Sequence, residues 1–275
     1  MKRLTFFNII RLFNLLSIDV ALGALAGGVL AVKTTGAIMP FSWYLVLPLA
    51  TWVIYTIDRL LDVSISGLKI QTMRHMLHSR YIKELGLVVS FMAAISLAVA
   101  TLYFPLRFII FGVIMSVFSL IHLAGAWYST GGRRFYYPKE ISTTFIYCAG
   151  IWGIPVINTQ APLTCQVYVT VTVFAVLVLV NILLYDFYED TLDKQSGVLS
   201  LTGIFGCQTI KKALYLLLLV ALVLTGLIKD GTTALVLLAI AIIHLTVLKL
   251  PALREQEYYR ILAEGSFMLP LLLLL

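Results

Sequence analysis

The 275-residue chain is poor in charge. Only 12% of its residues are Asp, Glu, Lys or Arg, against roughly 25% in an ordinary soluble domain. With 61% of the residues apolar, that scarcity excludes a water-soluble fold, intrinsic disorder and collagen-like repeats. A folded domain of roughly 300 residues still exposes about a quarter of its unfolded-chain surface, so a mean hydropathy of +0.99 cannot be hidden in one core. The solvent is lipid. Cysteine is scarce too: Cys148, Cys165 and Cys207 show no CxxC spacing, which excludes a disulfide framework and a zinc site and leaves small, buried apolar residues. Linkers, internal repeats and soluble segments are lacking, and low complexity is confined to the Leu run at 271–275. The chain reads as a single integral-membrane domain over 1–275.

What is present is a series of Leu/Val/Ile/Ala runs without period-2 alternation, which predicts helices rather than barrel strands. The expected architecture is an all-α polytopic bundle of about nine transmembrane helices, near 12–32, 41–61, 84–103, 107–127, 141–158, 167–187, 212–228, 232–249 and 260–275. With the N-terminus in the cytoplasm, every Lys and Arg except Lys33, Arg107 and Lys229 falls on the cytoplasmic side, as the positive-inside rule requires. Membrane topology therefore accounts for the net charge of +7, and no nucleic-acid partner is called for. Arg11 and Asp19 interrupt the first apolar run, so residues 4–13 read as an interfacial segment leading into the first span rather than as a cleaved signal. The absence of a transit-peptide composition points to a bacterial inner (cytoplasmic) membrane. Nothing in the sequence assigns an oligomeric state.

The acidic residues say more, because carboxylates near a membrane are costly and tend to mark function. Two clusters stand at the cytoplasmic ends of the second and sixth expected spans. Asp58 and Asp62 are i and i+4; Asp186, Glu189, Asp190 and Asp193 run i, i+3, i+4, i+7, so each cluster forms one stripe on a helix. Like charges stacked this way repel, and the stripe becomes favourable when a cation sits against it. Oxygen-only ligands suit Mg²⁺, which fills its remaining positions with water and substrate phosphate. Either Asp186/Asp190 or Glu189/Asp193 can be the main pair of the second stripe. The alternative is a pair of solvated helix ends, with Asp58 beside Arg59 and Asp193 beside Lys194. Arg74, His75, His78 and Arg80 in one loop, and Arg133, Arg134 and Lys139 in another, suit outer phosphate oxygens.

Further local patterns accompany the stripes. Arg11-x-x-Asn14 opens the chain, Tyr136-Tyr137-Pro138-Lys139 precedes the fifth span, and Glu189-x-x-x-Asp193-Lys194-Gln195-Ser196-Gly197 is followed by Leu199-Ser200-Leu201. Together with Asp58-x-x-x-Asp62 these resemble the UbiA superfamily of intramembrane prenyltransferases. Ile54 and Tyr185 stand where that family's motifs carry Asn, so the resemblance is to a divergent member. It implies Mg²⁺-dependent transfer of an isoprenyl group from a prenyl diphosphate to a lipophilic acceptor, aromatic or a quinone precursor, with the active site facing the cytoplasm. Asp58, Asp62, Asp186, Asp190 and Asp193 would bind metal, with Glu189 completing the catalytic set. Asn14, Arg74, Arg80, Lys139, Tyr55, Tyr136 and Tyr185 would bind substrate, with Tyr147 and Tyr188 as further π faces for an allylic cation.

Rival readings remain open at this level. One is a UbiA-like protein that binds isoprenoid lipid without catalysis. Another is a proton-coupled transporter, which predicts acids near the midplane and repeated broken helices. A CDP-alcohol phosphotransferase would need a DGxxAR signature, and the sequence has none. Asp19 and Glu264 are expected to pair with polar groups of neighbouring helices or to serve the acceptor. His122 and His244 are expected to be satisfied core residues.

Overall fold

The computed structural model describes residues 6–66, 72–129, 137–196 and 199–274, and its regular structure is helical. The helices are α1 (Phe6–Leu15), α2 (Ile18–Thr35), α3 (Phe41–Ser66), α4 (Met73–Arg80), α5 (Ile82–Tyr103), α6 (Leu106–Ser129), α7 (Lys139–Asn158), α8 (Cys165–Ser196), α9 (Leu201–Phe205), α10 (Cys207–Thr225), α11 (Gly231–Lys249) and α12 (Tyr258–Ser266). Two 3-10 segments, Pro251–Glu257 and Leu269–Leu274, flank α12. Among the described residues, eight helices (α2, α3, α5, α6, α7, α8, α10 and α11) are long and apolar enough to cross a membrane. Backbone groups in hydrocarbon must be satisfied within the segment, and a continuous helix does this.

Three elements differ from the sequence expectation. The first apolar run is divided: Ser17 adopts φ 56 between α1 and α2, and the Trp52 indole N–H donates to the Leu16 carbonyl at 2.8 Å. Asn14 and Arg11 thus belong to a separate short helix. The ninth expected span is the nine-residue α12 followed by a 3-10 turn, because Pro270 has no N–H for the helical ladder. And α8 continues past the expected end at 187 to Ser196, so the second acidic cluster rides on one unbroken helix.

The core lies around α2 and α8. Phe174, Leu177, Ile151, Trp152, Leu214 and Leu237 form its buried centre. Small residues let α2 approach its neighbours: a Cβ on Gly27 would stand 2.9 Å from the Phe174 ring, and one on Gly28 2.8 Å from Leu47. Close backbone approach of this kind is how helices gain packing where lipid removes the hydrophobic drive. By contrast α5 and α6 are peripheral, with Leu87, Phe91, Leu102, Leu106 and Leu120 exposed. α5 packs on α3, and α6 on α7. α4 bridges the ends of α3 and α5 and touches α1.

Candidate functional site: an acid-ended cavity

A cavity of about 580 Å³ runs between α3, α5, α6, α7 and α8, within the roughly 300–1,000 Å³ of small-molecule sites. Its lining on α3 extends from Trp43 to Asp62, about 28 Å at 1.5 Å per residue. Most of that length is apolar: Trp43, Leu47, Phe104, Phe108 and Ile154 close the far end. The near end is charged. Asp58 and Asp62 of α3 face Asp186, Glu189 and Asp193 of α8 across it, and Lys139, the first residue of α7, enters beside them.

The charged end is incompletely paired. The buried Asp186 Oδ2 has no partner, and Asp58 stands in the field of Asp62, Arg59 and Lys139. Asp62 meets the Arg59 guanidinium at 3.3 Å and His75 Nε2 at 3.9 Å. Arg59 also lies over the Tyr55 ring, 5.1 Å from its centroid. Lys139 interacts electrostatically with Asp186, Asp193, Glu140 and Asp62 and so stands between the two stripes. An orphaned buried polar group costs about 1–3 kcal/mol, which a native fold rarely carries without a use. Among the described residues no group of three His, Cys, Asp or Glu side chains converges tightly enough to hold an ion alone. The all-oxygen donor set and the unmet Asp186 oxygen fit Mg²⁺ completed by substrate oxygens and water.

The second stripe divides by rotation. Asp186, Glu189 and Asp193 line the cavity, while Asp190 turns towards α10: its Oδ2 accepts from Lys194 Nζ, one turn further along α8, at 2.7 Å and from Cys207 Sγ of α10 at 3.2 Å, and its buried Oδ1 has no partner. Glu189 is already engaged: it forms a short ion pair with Arg260 and accepts from the Tyr259 hydroxyl. Asp190, expected among the metal ligands, is thus held outside the cavity lining by Lys194 and Cys207.

Among the expected substrate-binding residues, Tyr55, Tyr185 and Lys139 line the cavity, as does Tyr147. Arg74 does not. It is 1% exposed and bonds Glu264 through both terminal nitrogens, at 3.2 and 2.7 Å, and the Asn14 carbonyl at 2.8 Å. Asn14 is held in the same cluster, its amide donating to Asp19 and to Glu264 at 2.6 Å each. Both are corrected from substrate ligands to members of a buried clasp joining α1, α2, α4 and α12. Thr72 and His75, on the other side of α4, face the cavity. Arg80 is also corrected: it is exposed, stacked over Tyr81, and outside the lining. Tyr188 donates to the Val247 carbonyl at 2.6 Å and is likewise outside. Tyr136, with Arg133 and Arg134, lies outside the described residues. His78, behind Arg74 on α4, donates through Nδ1 to the Arg74 carbonyl, and burial pushes its pKa down to about 4, so it is neutral at pH 7.

Sequence reasoning missed Arg59 and Arg260 as cavity residues, having read both as topology charges. The usable signal was position: Arg260 follows Tyr258-Tyr259 and precedes Glu264 in an otherwise apolar terminal segment, where a charge is expensive.

Neither a family model nor a curated relative matches the sequence. Solved structures do. A UbiA homologue from Aeropyrum pernix K1, in its apo form, superimposes with a TM-score of 0.70 at 11% identity, covering 94% of this chain and 99% of that one. The chain has the UbiA fold. A UbiA homologue from Archaeoglobus fulgidus, bound to DMAPP and Mg²⁺, matches with a TM-score of 0.62 at 14% identity over 94% of this chain and 97% of its own. The same homologue bound to GPP and Mg²⁺ gives 0.57 at 15% identity, covering 94% and 98%. With the UbiA fold established over nearly the whole length, the resemblance read from the Asp motifs and the architecture agree. α3 and α8, which carry the two stripes, flank one cavity.

Proposed function

We propose that this chain is a Mg²⁺-dependent intramembrane prenyltransferase, transferring an isoprenyl group from its diphosphate to an aromatic or quinone-precursor acceptor. One observation carries the reading: two carboxylate stripes, from α3 and α8, oppose each other at one end of a long apolar cavity. The UbiA fold, together with the DMAPP, GPP and Mg²⁺ bound by the Archaeoglobus homologue, supports it.

In this reading Asp58 and Asp62 on one side, and Asp186 and Asp193 on the other, hold the metal. Bound Mg²⁺ supplies Lewis-acid neutralisation of the charge that builds on the leaving diphosphate. Lys139, between the stripes, donates to non-bridging oxygens. Tyr55, Tyr147 and Tyr185 offer π faces to the allylic cation, and the apolar walls keep water from capturing it. The isoprenyl tail lies towards Trp43 and Phe108. The wall between α5 and α6 includes Leu97 and Val113, themselves exposed at 66% and 58%, and the tail reaches the bilayer there. The positive-inside pattern supports a cytoplasmic placement of the acid end and of the N-terminus, and the host membrane in this reading is a bacterial inner membrane. A transporter is disfavoured because the acids gather at one end rather than near the midplane.

The test is turnover of radiolabelled geranyl, farnesyl and geranylgeranyl diphosphates by purified protein with Mg²⁺ and a membrane lipid extract as acceptor. A labelled lipid product that requires Mg²⁺ and disappears in Asp62→Ala is expected. Mg²⁺-dependent binding without product across all three donors would favour a non-catalytic isoprenoid binder. No binding at all would remove the prenyl diphosphate reading.

A further inference from the structure

We propose that His122 and Gly125 of α6 form a seat that positions Lys139, so that α6 sets how tightly the cavity holds a diphosphate. The proposal rests on the prenyl-transfer reading, in which Lys139 donates to non-bridging oxygens, and adds to it the residues that aim this lysine. His122 lines the cavity and is 8% exposed. Its Nδ1 lies 2.7 Å from Ser142 Oγ and its Nε2 3.4 Å from Thr143 Oγ1, both near the start of α7. The Ser142 hydroxyl donates to the Lys139 carbonyl at 3.0 Å, so its one proton is committed and it accepts from the ring. His122 is therefore assigned the Nδ1–H tautomer, with Nε2 accepting from Thr143. Both nitrogens are engaged by α7, which makes His122 a positioning residue rather than a ligand.

The other half of the seat holds the chain before Lys139. The Tyr137 ring tilts over the His122 ring, their centroids 5.8 Å apart, and lies against Gly125. A Cβ on Gly125 would stand 2.6 Å from the Tyr137 Cε2, so a larger residue would push the ring off α6. The Tyr137 carbonyl in turn accepts from the Lys139 N–H at 2.7 Å. Lys139 is thus held from both sides, through Tyr137 before it and Ser142 after it, and the two holds meet at His122. As the first residue of α7, Lys139 has no preceding helical turn to fix its direction. Its charge must nevertheless reach the space among Asp62, Asp186 and Asp193. A shift of about 1 Å in a group that positions substrate can cost 100-fold. The seat also gives a use to α6, which is otherwise peripheral and packs mainly on α7.

The experiment titrates the full-length protein in detergent micelles with inorganic pyrophosphate at saturating Mg²⁺. His122→Ala should weaken pyrophosphate by about tenfold. His122→Asn, whose amide places a donor where Nδ1 stands, should restore most of the affinity, and His122→Gln, whose amide falls nearer Nε2, should not. Gly125→Ala should weaken binding as well, although alanine is the better helix former by about 1 kcal/mol, so the loss does not follow from a weaker α6. The decisive comparison is a double-mutant cycle. Lys139→Met alone should weaken pyrophosphate by about tenfold or more, and adding His122→Ala to it should cost less than about twofold further, because the seat then has nothing to aim. Unchanged binding in His122→Ala, rescue by Gln rather than Asn, or a tenfold loss that persists on top of Lys139→Met would each overturn the seat. Absence of Mg²⁺-dependent pyrophosphate binding in the wild type would overturn the prenyl-transfer reading, and the seat with it.

Discussion

Two groups of buried charge sit at the same end of the bundle, one closed and one open. In the clasp of Asn14, Asp19, Arg74 and Glu264, each side chain is bonded to another member, and only the Arg74 Nε is left over. In the cavity, one oxygen of Asp186, the Tyr185 hydroxyl and two nitrogens of Arg260 are unmet. Both groups contain acids and an arginine drawn from distant parts of the chain, so buried charge by itself does not mark a site. What separates them is completeness. The closed group fastens α4 to α1 and α12, and the open group awaits something from outside the chain.

The largest expected difference between them concerns activity. Asp186→Asn, which keeps the shape of the side chain and removes its charge, should lower prenyl transfer by about 100-fold or more, the usual cost of removing one electrostatic stabiliser. Radiolabelled product formation at saturating Mg²⁺ checks this. Breaking the clasp should act on stability instead. Glu264→Ala strands Arg74 in the interior, which costs about 3–5 kcal/mol, read as a fall in the thermal unfolding midpoint in detergent. An Arg74→Met, Glu264→Met double variant should recover most of that loss, since replacing both members of a buried pair removes the stranded charge.

A smaller effect follows from His78, packed behind the clasp. Its pKa is pushed down by burial from the ordinary 6.5 to about 4, so below 6.5 an unfolded chain takes up a proton that the folded chain refuses. The stability contributed by neutral His78 is complete above pH 6.5 and declines as pH falls towards 4. His78→Gln should flatten that part of the profile, measured as unfolding midpoints at pH 7.5 and 5. The smallest effect is expected at the opposite end of the bundle, where Lys33 and Asp230 pair at 3.3 Å with both side chains exposed. Asp230 also caps α11 by accepting from the Thr232 N–H. Asp230→Ala should cost about 1 kcal/mol, mostly the cap, and leave activity unchanged.

Hydropathy and charge made the spans legible, because lipid imposes length and apolarity on each helix. The break at Ser17 was not legible, since Leu15 and Leu16 run unbroken into the first span and the turn follows from a left-handed φ at a residue with no special propensity for it. The two acid stripes were legible as stripes. Which acids face inward was not, and rotation explains why: at 100° per residue, Asp193 and Glu189 lie about 20° and 60° to one side of Asp186, and Asp190 about 40° to the other. All four share one face in sequence, and only the position of α10 decides that Asp190 leaves it. Arg74 and His75 make the same point on α4. Adjacent residues on a helix point about 100° apart, so one locks into the clasp while the other reaches Asp62.

The central claim is that unmet polar groups lining the cavity, and not buried charge alone, mark the site, and α8 offers a direct test on a single helix. Asp186 and Asp190 are one turn apart, equally buried at 6%, and each has one oxygen without a partner; they differ in that Asp186 lines the cavity while Asp190 is held by Lys194 and Cys207 outside it. Calorimetric titration of Mg²⁺ with pyrophosphate into wild type, Asp186→Asn and Asp190→Asn compares them. The account predicts that Asp186→Asn abolishes binding and Asp190→Asn retains it. Loss of binding in Asp190→Asn with retention in Asp186→Asn would contradict it.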